Sequence, residues 1–262
     1  MTQLARPDLA RSRSGSEHES RDAAAAATGQ PDTRPRQADR PVPGWAVGTA
    51  LLAPVGLVGG WVVAGALQPA TYSPMRQTMS VLAGHSGTDQ WVMTVALVLV
   101  GSCQIATGAG LTGVGPPARI LLTLTGLSTL GIAASPEPVT GPTPRHLAFA
   151  VSCVLTTAVW PAFVARRAPA RSWILSVSGC AAVTVIFAAL SCWLLVAAQD
   201  GGGDLGLAER LTSAAQGLFP LIVALALRQL ARGADGQPGR GDNGYETLAR
   251  AHAGGPTDSS AR

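Results

Sequence analysis

Three polar joints carry the residues able to do chemistry. The first reads Tyr72-Ser73-Pro74-Met75-Arg76-Gln77-Thr78-Met79-Ser80, followed by His85 and Asp89. The second holds Glu137, Arg145 and His146, and the third Asp200, Asp204, Glu209 and Arg210. Three chemistries draw on these residue types. Arg76, Arg145 and Arg210, oriented by Glu209, are the set that would converge on one anionic group, because guanidinium forks match phosphate and carboxylate oxygens. The same charges could staple helix ends together, with Arg76 or Arg145 paired to Glu209, or snorkel toward lipid headgroups. Ser80, with His85 or His146 and Glu137 or Asp89, supplies the parts of a nucleophilic serine. A triad is defined by geometry, however, and no Gly-x-Ser-x-Gly turn surrounds Ser80. A hydrolytic zinc needs three protein ligands, and these joints hold two histidines.

The elements that must hold these joints are apolar. Hydrophobic residues make up 47% of the 262 residues and charged residues 13%, against about 25% charged in a soluble domain. The apolar residues gather into six blocks: Trp45 to Leu67, Trp91 to Leu111, Ile120 to Ala134, His146 to Ala165, Trp173 to Ala198 and Leu211 to Leu230. At 1.5 Å per residue each spans, or nearly spans, a hydrocarbon core of about 30 Å, the third block being the shortest. Backbone groups in lipid must bond within their own segment, so each block predicts a helix. The expected fold is an all-α integral membrane protein, a bundle of six transmembrane helices over residues 44–231. The stretch from Gln68 to Gln90 is long enough to hold a small structured element.

Arginine placement orients the bundle. The chain has no lysine, and its net charge of +4 rests on arginine alone. With the N-terminus inside, sixteen arginines fall on the inner side and three, Arg76, Arg145 and Arg210, on the outer. That asymmetry predicts both ends cytoplasmic in a plasma-membrane protein and puts the three polar joints outside. Residues 1–43 and 232–262 are polar, without apolar periodicity, and are expected to be disordered tails.

Inside the blocks, ionisable residues are absent from the middle thirds, which argues against a proton-coupled pump or permease. Gln104 and Gln216 are the most polar groups at depth and are expected to bond between helices. Gly56-x-x-x-Gly60 is a small-residue contact face. Cys103, Cys153, Cys180 and Cys192 lie in apolar blocks without metal-ligand spacing and are expected to be small buried residues at helix contacts. No phosphate-binding loop, dinucleotide fingerprint or nucleic-acid module is present, so neither cofactor nor nucleic acid is expected.

Three stretches together resemble a known family. They are Tyr72 to Leu82, then Ser135-Pro136-Glu137-Pro138 with Arg145-His146-Leu147-Ala148-Phe149-Ala150, then Gly206-Leu207-Ala208-Glu209-Arg210-Leu211. In order and spacing they resemble the bacterial membrane family called domain of unknown function 998. The resemblance implies six helices over roughly residues 44–231 and carries no established activity. As a shared site it points to Arg76, Ser80, Glu137, His146, Glu209 and Arg210. Glu137 departs from the aspartate of many members. The expectation is a membrane protein, more a binder than an enzyme, that holds an anionic lipid or small ligand at Arg76, Ser80, Glu137, Arg145, His146, Glu209 and Arg210. The alternative is a membrane-embedded lipid hydrolase or transferase, and a small permease ranks last.

Overall fold

The computed structural model describes residues 41–165, 172–201 and 203–235. Nearly all of both tails lies outside these residues. Seven α-helices occur among the described residues: α1 (Gly44–Ala66), α2 (Met79–Ala83), α3 (Trp91–Gly110), α4 (Pro116–Ala133), α5 (Pro144–Val164), α6 (Val177–Gln199) and α7 (Leu205–Asp235). A 3₁₀ turn, Trp173–Leu175, precedes α6, and no strand is found among the described residues. α1, α3, α5, α6 and α7 are long and apolar enough to cross a membrane.

α4 is the exception among the blocks. Its 18 residues open with Pro116-Pro117-Ala118-Arg119 and include Thr123, Thr125, Ser128 and Thr129, which dilute its apolar character. Three of those hydroxyls are used inside the bundle. Thr125 donates to Thr156 at 2.8 Å, Ser128 to Ser152 at 2.9 Å, and Thr129 to the Gln104 side chain at 3.0 Å. Polar groups bonded across helices are compatible with depth in lipid. Gln216 likewise donates to Ser191, at 3.1 Å, as the sequence led us to expect of both glutamines.

The six longer helices close a ring. α1 packs on α3, α3 on α4, α4 on α5, α5 on α6, α6 on α7, and α7 returns to α1. Small residues permit the tight crossings. A Cβ on Gly101 would lie 2.7 Å from the Gly126 carbonyl oxygen, and one on Gly126 would lie 2.6 Å from that of Gly101, so α3 and α4 touch backbone to backbone. In α1, Gly60 leaves no room for a Cβ beside Ala96 of α3, in keeping with the small-residue face. Inside the ring Phe219 packs edge-on between Trp160, at 5.6 Å, and Phe187, at 5.7 Å.

The ring's outer faces carry Val55, Val62, Ile120, Leu155, Val185 and Leu195, each more than half exposed. A band of that kind suits lipid contact. Cys103 and Cys180 are buried as expected, whereas Cys192 is exposed because its position on α6 turns outward from the ring.

α7 begins six residues before the apolar block that marks it, at Leu205. Glu209 and Arg210 therefore stand on a helix and not in a joint. The stretch between α1 and α3 folds as the small element expected of it. Gln68 joins its two ends, donating to the Thr88 carbonyl at 2.9 Å and accepting from the Thr88 N–H at 2.9 Å.

Candidate functional site at one end of the bundle

The segment between α1 and α3 lies across the start of α7. Its turn is set by Ser73, whose carbonyl accepts the N–H groups of Arg76 and Gln77 at 3.1 and 2.9 Å. Thr78 then caps α2, accepting from Val81 N–H at 3.3 Å. Four hydrogen bonds from Arg210 fasten this segment. Nη1 donates to the carbonyls of Pro74 at 2.6 Å, Gln77 at 2.9 Å and Gly206 at 2.9 Å, and Nη2 donates to the Tyr72 hydroxyl at 2.5 Å. The Leu207 N–H adds a bond to the Met75 carbonyl at 3.0 Å. Gly206 is required at this contact, since a Cβ there would overlap the Pro74 and Gln77 carbonyl oxygens. Burial pushes the Tyr72 hydroxyl above the ordinary tyrosine range, while the Arg210 charge and hydrogen bond pull it back.

Glu209 points the same way. Its Oε2 accepts from the Met79 N–H, the first of α2. This differs from the expected pairing of Glu209 with Arg76 or Arg145: the carboxylate is taken by a backbone donor, and the arginine acting on it is its chain neighbour Arg210.

His146 joins α5 to α2. It is buried, at 3% exposure, with Nδ1 2.7 Å from the Ser135 carbonyl oxygen and Nε2 3.0 Å from Ser80 Oγ. A carbonyl only accepts, so Nδ1 carries the proton, and in the neutral ring Nε2 accepts from the Ser80 hydroxyl. Glu137 sits over Gly84, its carbonyl accepting from His85 N–H at 2.9 Å. Burial pushes the Glu137 carboxyl above the usual carboxylate range, partly offset by the charge of His146. The Glu137 and Glu209 charges are close enough to repel.

Ser80, Glu137, His146, Glu209 and Arg210 are thus brought to one end of the bundle. Arg76 and Arg145 flank them but are exposed, and among the described residues neither makes a side-chain hydrogen bond. Of the serine-triad combinations, only Ser80 with His146 is hydrogen-bonded among the described residues. His85 and Asp89 are exposed, and the ring's second nitrogen faces a carbonyl oxygen in place of a carboxylate. Two participants had no assigned role in the sequence, Tyr72 and Ser135. Both lie within the quoted stretches, and that position was the only available signal.

The family model described as protein of unknown function (DUF998) matches residues 51–226. The chain belongs to this family. The matched span includes all three stretches that meet at this end of the DUF998 chain. No curated protein and no solved structure matches it.

The opposite end differs. A cavity of about 310 Å³ opens between α3 and α4, lined by Gly108, Ala109, Arg119, Ile120 and Thr123 among others. Arg119 caps the end of α3 there, donating to the carbonyls of Gly108 at 3.0 Å and Ala109 at 2.9 Å.

Proposed function

We propose that this DUF998 chain is a six-span plasma-membrane protein, both ends cytoplasmic, that binds an anionic lipid or small anionic ligand at its outer end. Support for α4 as the sixth span comes from its register. Its start meets the ends of its neighbours, with Arg119 on Gly108 and Ala109 and with Trp160 donating to the Ala118 carbonyl at 2.7 Å. Its far end meets the start of α5, where Ser135 holds His146. From Ala118 to Ser135 the rise is about 26 Å, close to the thickness of the hydrocarbon core. Six crossings return the chain to its starting side, and the excess of arginine then puts that side in the cytoplasm.

One observation carries the ligand reading. Glu209, the acid expected to pair with Arg76 or Arg145, is engaged with the protein's own backbone, and so is Arg210. Arg76 and Arg145 are left exposed at the same end. Arginine is selected against on the translocated side, so two retained there without a side-chain hydrogen bond among the described residues are suited to an external anion. A phospholipid phosphate at the outer interface has the matching charge and depth.

Native mass spectrometry of the detergent-purified protein tests this. The wild type is expected to carry a discrete anionic adduct that the Arg76→Gln/Arg145→Gln double variant loses while keeping its melting temperature. An adduct retained by the double variant would put the ligand elsewhere, and no adduct on either would remove the reading.

A further inference from the structure

We infer that Ser80 is a nucleophile activated by His146, and that the ligand of the outer end is a carboxylic ester on which it acts. This deepens the lipid-site reading and rests on it for the identity of the substrate.

The geometry of the pair is that of a base-activated hydroxyl. Ser80 Oγ lies 3.0 Å from Nε2, and the Ser135 carbonyl at 2.7 Å from Nδ1 fixes the tautomer with its lone pair toward the serine. A Ser–His hydrogen bond by itself is often no more than a satisfied polar contact. A second observation separates this one. Ser135, the residue whose carbonyl orients the ring, is 8% exposed, and its own Oγ is buried with no hydrogen-bond partner. A buried hydroxyl left unpaired costs about 1–3 kcal/mol and is expected to have a partner that comes and goes. The same residue's carbonyl holds Nδ1 of the ring, and the partner that suits its hydroxyl is a polar group of the substrate or the hydrolytic water. Glycerolipid esters lie at the junction of headgroup and hydrocarbon, the depth at which helix ends emerge.

The steps balance. Ser80 Oγ bonds to the ester carbonyl carbon as its proton passes to His146 Nε2. The bond from that carbon to the alkoxy oxygen breaks, and Nε2–H protonates the departing alcohol. Water, deprotonated by Nε2, then attacks the acyl carbon. The bond to Oγ breaks and Oγ regains its proton from Nε2, so one ester and one water give one acid and one alcohol.

The test uses the full chain in detergent with a fluorophosphonate probe, in which Oγ–P forms and fluoride leaves. Peptide mass analysis is expected to find the label on Ser80 and not on Ser86, an exposed serine nearby. Ser80→Ala should abolish labelling while the folded protein still accumulates in detergent, and His146→Gln should slow it about 100-fold or more. Ser135→Ala should slow hydrolysis of a short-chain nitrophenyl ester about 10- to 100-fold. If His146→Gln does not accumulate, the contrast between Ser80 and Ser86 in the wild type decides alone. No label on Ser80, or equal labelling of Ser86, overturns the inference. A lipid adduct without a label would retain the binding reading and remove this one, and a label without an adduct would do the reverse.

Discussion

Arg210 spends its donors on three carbonyls and a tyrosine hydroxyl. Bonds of this kind to a charged group contribute about 1.5–3 kcal/mol each before coupling is considered, so Arg210→Ala should cost on the order of 3 kcal/mol. The expected readout is a clearly lowered melting temperature. Arg210→Lys should recover little of it, because one ammonium cannot serve four diverging acceptors. Glu137 has the opposite sign. Its carboxyl is held above the ordinary range, chiefly by burial, so the folded state binds that proton more tightly than the unfolded chain does. Its contribution to stability is therefore greatest at low pH and declines as pH rises through the folded value. Glu137→Gln should raise the melting temperature at pH 8 relative to wild type, with the difference closing toward pH 4. An advantage that grew on acidification would contradict that assignment. At this scale the sequence marks residue types that the structure brings together at one end, and little of what each one contacts. Arg210 reads as an anion receptor because its true acceptors are backbone carbonyls, which every residue has and no sequence marks. Ser80 and His146 were visible as types, whereas their 3.0 Å contact depends on how α2 and α5 meet.

Among the elements, α4 is the one whose sequence most understates it. Its hydroxyls and its opening Pro116-Pro117-Ala118-Arg119 run dilute its apolar character, yet Thr125, Ser128 and Thr129 face α3 and α5, where they bond. Helix boundaries were legible wherever an apolar block ended at a glycine, a proline or a polar run. They were not legible at the start of α7, because a helix whose first turns hold Glu209 and Arg210 looks like a joint. Two substitutions separate the forces at the α3–α4 crossing. Thr125→Val deletes one interhelical hydrogen bond and should cost only about 0.6 kcal/mol. Gly126→Leu forces a side chain into backbone already in contact with Gly101 and Ile105. It should abolish accumulation of the folded protein, as seen by gel filtration in detergent. Comparable effects from the two would mean that α4 is held by polar contacts and not by close approach.

The whole molecule is a ring of helices with unlike ends. One end holds an arginine-capped helix beside an open cavity. The other gathers three chain-distant stretches into a hydrogen-bonded cap, which gives the DUF998 match its structural meaning. Whether the cap faces outward, and whether α4 crosses, determine every functional statement made of it. Cysteines at positions 85, 115 and 139, all exposed in the joints, report both questions when Cys192, the exposed native thiol, is replaced by serine. The most direct measurement is labelling of these three single variants in intact cells with a membrane-impermeant maleimide. Six crossings with the cap outside predict that His85→Cys and Val139→Cys are labelled at once and Gly115→Cys only after permeabilisation. Labelling of 115 and 139 from the same side would make α4 non-spanning, and labelling of 115 alone in intact cells would put the cap in the cytoplasm; either result contradicts the account.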